Sequence, residues 1–199
     1  MPIDSKYLAS FITGEFYHVY NRCASSKKMF IEDRNYYFFL DLFKKYLISY
    51  VDLYAYCLIP NHFHLFFSIK DIDNTIADDD INKTVTNQFR KLFISYTNSI
   101  NKEHNLHGGI FSTPFKRIMV TSEAYFTQLI FYIHCNAIHH NICNHPSQYK
   151  FSSYNSILSD KASLLKRDEV LNWFGGRESF IKYHEMMSRE FLILPFYME

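Results

Sequence analysis

The apolar positions of this chain change their period several times, and each change marks an element. The run Phe16–Arg22 alternates and is rich in Tyr and Val, which predicts a first strand. From Glu32 to Tyr50 the period lengthens. Tyr36, Phe39, Leu40, Phe43 and Leu47 recur near helical spacing, with Asp33 or Asn35 available as a cap. Val51–Ile59 reads as a second strand, broken at Pro60-Asn61 because proline cannot donate to a ladder and Asn tolerates turn geometry. His62–Ile69 then reads as a third strand returning antiparallel through that tight turn. Asp71–Asn82 is acidic and turn-like, and is expected to be an exposed loop. Thr84–Asn101 is expected to be a helix with Phe89, Leu92, Phe93, Tyr96 and Ile100 on one side. A loop over His104–Thr113 leads to a fourth strand, Phe115–Val120. Thr121–His140 predicts a third long helix, with Thr121 or Ser122 as cap and Glu123 in its first turn. Ser152–Leu158, Arg167–Phe174 and Glu178–Phe191 read as shorter helices around a Gly175-Gly176 turn.

The resulting order is β-α-β-β-α-β, the split βαβ or ferredoxin-like arrangement of an α+β fold, followed by a further helix. A length of 199 residues suits one domain with an appendage. The expected division is a loose lead-in over 1–15, a domain over 16–150 and a helical C-terminal appendage over 151–199. With 16 Tyr and 20 Phe against 5 Gly, the chain has the make-up of a densely packed, ordered protein. No apolar run reaches the length of a membrane span, so no membrane association is expected. Met1–Gly14 lacks the pattern of a secretory leader. Cys23, Cys57, Cys135 and Cys143 are scattered without metal-type pairing, as reduced thiols of a cytoplasmic protein would be.

A net charge of +1 argues neither for nor against nucleic acid, but its distribution is uneven. Aspartates crowd 71–80, and the balance then reverses from Lys83 to Val120 through Lys83, Arg90, Lys91, Lys102, Lys116 and Arg117. Such a segment is either a phosphate-holding surface or an ordinary solvated helix face. Charge alone favours the second.

The candidate chemistry begins at Pro60-Asn61-His62-Phe63-His64. On a strand, His62 and His64 project to one face while Phe63 and Leu65 project to the other. Two imidazoles so placed can grip one metal ion, or can fill hydrogen-bonding roles at a sheet edge. On the helix after Thr121, Phe126, Leu129, Ile130, Ile133 and Ala137 form a buried stripe. Tyr125, Gln128, Tyr132 and Asn136 form a second stripe at steps of three and four. If that second face meets the histidines, two nitrogens, an amide oxygen and a phenol one turn away are assembled together. His139, His140, Cys143 and His145 also lie close in sequence, but their spacing matches no common zinc module.

These stretches resemble the HUH single-tyrosine transposases, and the REP-associated branch in particular. Tyr17-His18-Val19-Tyr20-Asn21-Arg22 is similar to the family's first strand. Leu58-Ile59-Pro60-Asn61-His62-Phe63-His64 is similar to its His-hydrophobic-His segment. Phe111–Ile118 resembles the segment before its fourth strand, Tyr132-Ile133-His134-Cys135-Asn136 its nucleophile helix, and Tyr149–Tyr154 the motif that follows. The match runs from about Phe16 to Tyr154. Two positions depart from it: Ala137 stands where the family usually has Pro, and Ile59 where it usually has Met.

The resemblance implies a metal-dependent strand transferase acting on single-stranded or hairpin DNA through a 5′-phosphotyrosine. Tyr132 would be the nucleophile, and His62, His64 and Asn136 would hold Mg²⁺ or Mn²⁺. Arg22, Arg90, Lys91, Lys116 and Arg117 are the candidate phosphate contacts, and Tyr17 and Tyr20 could stack on bases. Monomer and homodimer are both compatible with the sequence. Near-neutral charge and Ala137 keep open a domesticated module that binds hairpin DNA or RNA without cutting. A His-x-His metallo-hydrolase is a third reading.

Overall fold

The third strand, β3 (His62–Ile69), is an interior strand of the sheet, with every one of its residues buried. The computed structural model describes residues 7–24, 28–71 and 78–191. β3 pairs antiparallel with β2 (Val51–Ile59) on one side and with β1 (Phe16–Arg22) on the other. β1 also carries the short outer strand β4 (Lys116–Met119), so the sheet order is β2-β3-β1-β4. Helix α1 (Asp33–Tyr46) joins β1 to β2, and α2 (Asp78–His104) joins β3 to β4. This is the ferredoxin-like α+β arrangement implied by the element order.

The two faces of β3 bury different chemistry. Phe63 and Phe67 project toward α1 and α2, where Phe63 meets Phe39 at 5.0 Å and Phe67 meets Phe89 at 5.9 Å between ring centroids. His62, His64 and Phe66 project to the opposite face, against α3 (Phe126–His139). There Phe66 lies 5.2 Å from Phe126, which also packs on Phe16 at 4.4 Å and Trp173 at 4.9 Å. The outer side of α3, through Phe131, Cys135 and Ile138, is covered by Tyr183 and Met187 of α6 (Arg177–Phe191). Enclosed on both sides, α3 is buried nearly all round, which explains why its sequence carries apolar residues beyond a single stripe.

The segment after α3 covers the otherwise open edge of β2. Leu58 N–H donates to Phe151 O at 3.0 Å, Ser153 N–H to Tyr56 O at 2.9 Å, and Lys166 N–H to Leu53 O at 2.9 Å. A bare strand edge invites pairing with other chains, and these bonds remove that opportunity. The short helices α4 (Tyr154–Ile157) and α5 (Arg167–Trp173), with α6, add Tyr154, Ile157, Val170 and Phe180 to the same core as the sheet.

A buried hydrogen-bond chain ties α6 to α3. His184 Nδ1–H donates to Phe180 O at 2.8 Å, so its Nε2 accepts Nδ1–H of His134 at 2.9 Å. His134 Nε2 in turn accepts the Ser153 hydroxyl at 2.7 Å, and Ser153 Oγ accepts Tyr56 N–H at 2.9 Å. Every member is satisfied with both imidazoles neutral. Burial lowers His184 to about 4 and lowers His134 well below the ordinary imidazole value of 6.5. The unfolded chain therefore takes up more protons than the folded one between 6.5 and about 4. Stability is expected to be full above that window and to fall through it as pH drops, by about 1.4 kcal/mol per pH unit for each such proton. Denaturant midpoints measured above and within the window check this, and His184→Leu should make the fall shallower.

Several boundaries differ from the sequence expectation. Residues 7–14 are no loose lead-in: Phe11 is fully buried, stacks on Phe89 at 6.0 Å and donates its N–H to Asn82 Oδ1 at 3.0 Å. The expected acidic loop lies partly outside the described residues, but Asp78–Asn82 is helical, not loop. Carboxylates in a first turn complement the positive end of the helix, so the charges suit a helix start. α1 ends at Tyr46 and begins after Glu32, with Asn35 Oδ1 accepting Glu32 N–H at 2.8 Å. α3 starts later than expected, at Phe126, because residues 123–125 form a 3₁₀ turn. β4 is shorter than expected, covering only Lys116–Met119.

Candidate active site on the inner sheet face

The Pro60-Asn61 turn hands the chain to β3 with His62 as its first residue, and strand alternation puts His64 beside it, ring centroids 5.1 Å apart. Across the gap, α3 presents Tyr132 and, one turn on, Asn136. The two faces meet. Asn136 Oδ1 lies 2.8 Å from His62 Nε2, and Asn136 Nδ2 lies 3.2 Å from His64 Nε2. Tyr132 stands edge-on to His64, centroids 5.5 Å apart at 87°. All four are buried: His62 at 3%, His64 at 1%, Tyr132 at 2% and Asn136 at 0% exposure.

The far nitrogens of both imidazoles are also engaged. His62 Nδ1 lies 2.9 Å from Asn61 Oδ1, and His64 Nδ1 lies 2.9 Å from His18 Nε2. Tyr20 stacks on His18 at 4.9 Å and on His64 at 5.4 Å. Burial, with His18, His62 and His140 nearby, holds His64 well below the usual imidazole range, and burial lowers His18 to about 3. A neutral imidazole with one bare nitrogen is the form that ligates a metal.

A hollow of about 350 Å³ opens beside the histidines, lined by Tyr20, Asn21, Arg22, His62, His64, 112–114 and Lys116. Arg22 is exposed at the end of β1, opposite His62 in the sheet register. Lys116 Nζ sits over the Tyr20 ring at 5.2 Å. Two of the sequence-predicted cations thus flank the hollow. The other three lie elsewhere. Arg90 borders a separate apolar hollow of about 420 Å³ beside Phe93, Ile94, Phe111 and Phe115. Lys91 is exposed on α2. Arg117 turns to the opposite sheet face, donates to Thr86 Oγ1 at 2.8 Å and lies over Phe11 at 5.0 Å.

The fold is similar to that of solved structures. One of them is a REP-associated tyrosine transposase bound to a REP hairpin, similar with a TM-score of 0.60 over 79% of this chain and 87% of that one, at 12% sequence identity. No family model matches the chain, and no curated protein does. At that identity the likeness establishes a shared fold, and the chemistry rests on the residues of this chain.

Tyr17 is excluded from base stacking: it is fully buried, with its hydroxyl donating to Ser10 O at 2.8 Å. Tyr20 lines the hollow. Among the described residues, no group of three His, Cys, Asp or Glu side chains is placed to hold a metal ion. Among the described residues, the Asn136 amide is the group that hydrogen-bonds to both His62 Nε2 and His64 Nε2. His140, from the sequence cluster considered for zinc, packs on His62 at 4.6 Å, whereas His145 bonds Ser147 Oγ at 2.7 Å. Sequence reasoning passed over His18 and Asn61 as partners of the two imidazoles. Asn61 was readable from adjacency to His62. His18 could have been found only from the β1–β3 register, in which Tyr20 faces His64 and His18 is its diagonal neighbour.

Proposed function

We propose that this chain is a metal-dependent DNA strand transferase that cleaves single-stranded or hairpin DNA through Tyr132. The observation that supports this most is the convergence of His62 Nε2, His64 Nε2 and the Asn136 amide in a buried site beside the Tyr132 ring. Two imidazoles and an amide oxygen suit Mg²⁺ or Mn²⁺, with remaining positions left for water and phosphate oxygen. Held by His62, His64 and Asn136, such a cation would supply charge neutralisation at the scissile phosphate.

The chain's own groups do the rest. The Tyr132 phenolic oxygen forms a bond to phosphorus, the bond from phosphorus to the 3′ oxygen breaks, and the proton lost by the phenol is balanced by the one gained at the 3′ hydroxyl. The phosphodiester energy is kept in the 5′-phosphotyrosine, so a 3′ hydroxyl can reverse the step and join strands. A phenol with a pKa of about 10 is a weak nucleophile at neutral pH, which is why the phosphate needs activation. Arg22 and Lys116, at the rim of the hollow, would place the backbone phosphates without reading sequence.

The test is incubation with a labelled hairpin carrying a single-stranded tract, in Mg²⁺ or Mn²⁺. The expected result is a denaturant-resistant protein–DNA adduct that Tyr132→Phe abolishes. An unchanged adduct in Tyr132→Phe would overturn the assignment of the nucleophile. A second reading, a hairpin-binding module without cleavage, draws on the 2% exposure of Tyr132 and on a hollow that reaches the histidines but not the tyrosine. Under the leading reading, DNA binding must open the chain enough to admit a phosphate to Tyr132. Tight hairpin binding with no adduct in either metal would favour the module.

A further inference from the structure

We propose that His18 is the positioning residue of the cation site: by accepting the Nδ1 proton of His64, it leaves His64 Nε2 bare and aimed at the Asn136 amide. This rests on the reading of His62, His64 and Asn136 as the cation ligands.

A neutral imidazole has one bare nitrogen, and the partner of its other nitrogen decides which one it is. His64 Nε2 faces Asn136 Nδ2 at 3.2 Å, and an amide N–H there donates to it. His64 therefore carries its proton on Nδ1, and the atom 2.9 Å away from that proton's nitrogen is His18 Nε2. The opposite placement, with the proton on His18 Nε2 and on His64 Nε2, removes the lone pair a cation needs. Only one of the two proton arrangements is competent to bind.

The local structure holds that arrangement. His18 lies on β1 at the diagonal of His64 and is 6% exposed, so bulk water is a poor substitute as acceptor. Its ring is nearly parallel to that of His64, centroids 5.2 Å apart at 22°. Tyr20 stacks against both rings and restricts their tilt. A buried imidazole costs desolvation that an apolar side chain would avoid, and the sheet position alone does not require it. Because His18 acts through His64, it is a positioning residue and not a ligand.

The experiment is Mn²⁺ titration of the folded protein, read by the electron paramagnetic resonance signal of free Mn²⁺, for wild type, His64→Ala, His18→Phe and His18→Gln. Glutamine places an oxygen near the position of the imidazole Nε2, whereas phenylalanine fills the space without an acceptor. His64→Ala is expected to lose binding. His18→Phe is expected to weaken it by about 10–100-fold, the usual effect of removing an outer partner of a metal ligand. His18→Gln should stay close to wild type. In wild type, ¹⁵N NMR should show His64 protonated at Nδ1. Wild-type Mn²⁺ affinity in His18→Phe, an equal loss in His18→Gln, or an Nε2-protonated His64 would each overturn the proposal. Should wild type itself fail to bind Mn²⁺, the ligand reading falls and this inference with it. Should wild type bind and only His64→Ala lose the ion, the ligand reading stands and His18 alone is refuted.

Discussion

Replacing His64 with alanine is expected to abolish Mn²⁺ binding and to lower adduct formation by roughly 10²-fold or more, the scale seen when one preorganised electrostatic group is removed from a transition-state site. The imidazole is one of the two nitrogen donors that β3 turns toward the Asn136 amide. Its loss also deprives His18 Nε2 and Asn136 Nδ2 of their partner in a buried setting. Leaving a buried polar group unmatched costs about 1–3 kcal/mol, so a modest loss of stability accompanies the loss of function. Mn²⁺ titration, the labelled-hairpin assay and a thermal melt together separate the two effects. Retained Mn²⁺ affinity in a folded His64→Ala protein would contradict the ligand assignment.

Phe63→Ala is expected to do the reverse, although Phe63 is the neighbouring residue. Its ring points to the other sheet face, is fully buried and meets Phe39 at 5.0 Å, Phe93 at 6.0 Å and Phe111 at 6.3 Å. Emptying such a site costs about 3–5 kcal/mol, through lost burial and the cavity left behind. For a chain of this size that lowers the melting temperature by roughly 10 °C. Below its new melting point the variant should still bind Mn²⁺, because the histidine face is built by α3 and not by α1 and α2. Denaturant titration and Mn²⁺ binding at low temperature check the pair of outcomes. A loss of less than about 1 kcal/mol would show that the helices close over the gap.

The contrast between these two residues also shows how far the sequence could be read. Alternation and helical spacing are local, so the strand–turn–strand unit at Pro60-Asn61 and the faces carrying His62 with His64 and Tyr132 with Asn136 were legible. Their meeting was not. The β-α-β-β-α-β order accounts for α1 and α2 on one face and leaves α3 unassigned. What seats α3 on the other face is the non-local packing of Phe126 on Phe16, Phe66 and Trp173. His18 was hidden for a similar reason, since a partner across a sheet depends on register. Charge was the weakest guide. Lys116 and Arg117 are adjacent in sequence, yet strand alternation sends Lys116 to the hollow and Arg117 into contact with Phe11 and Phe115. The acidic 78–82 stretch reads as loop by composition, whereas its charges suit the start of α2.

With 16 tyrosines in the chain, an adduct alone does not say which phenol attacks. The most direct measurement is therefore to trap the protein–DNA adduct, digest both components and locate the nucleotide-bearing peptide by mass spectrometry. The nucleotide is expected on Tyr132, attached through its 5′ phosphate, only when Mg²⁺ or Mn²⁺ is present. A nucleotide on any other tyrosine, or cleavage of the hairpin with no covalent adduct, would contradict the account.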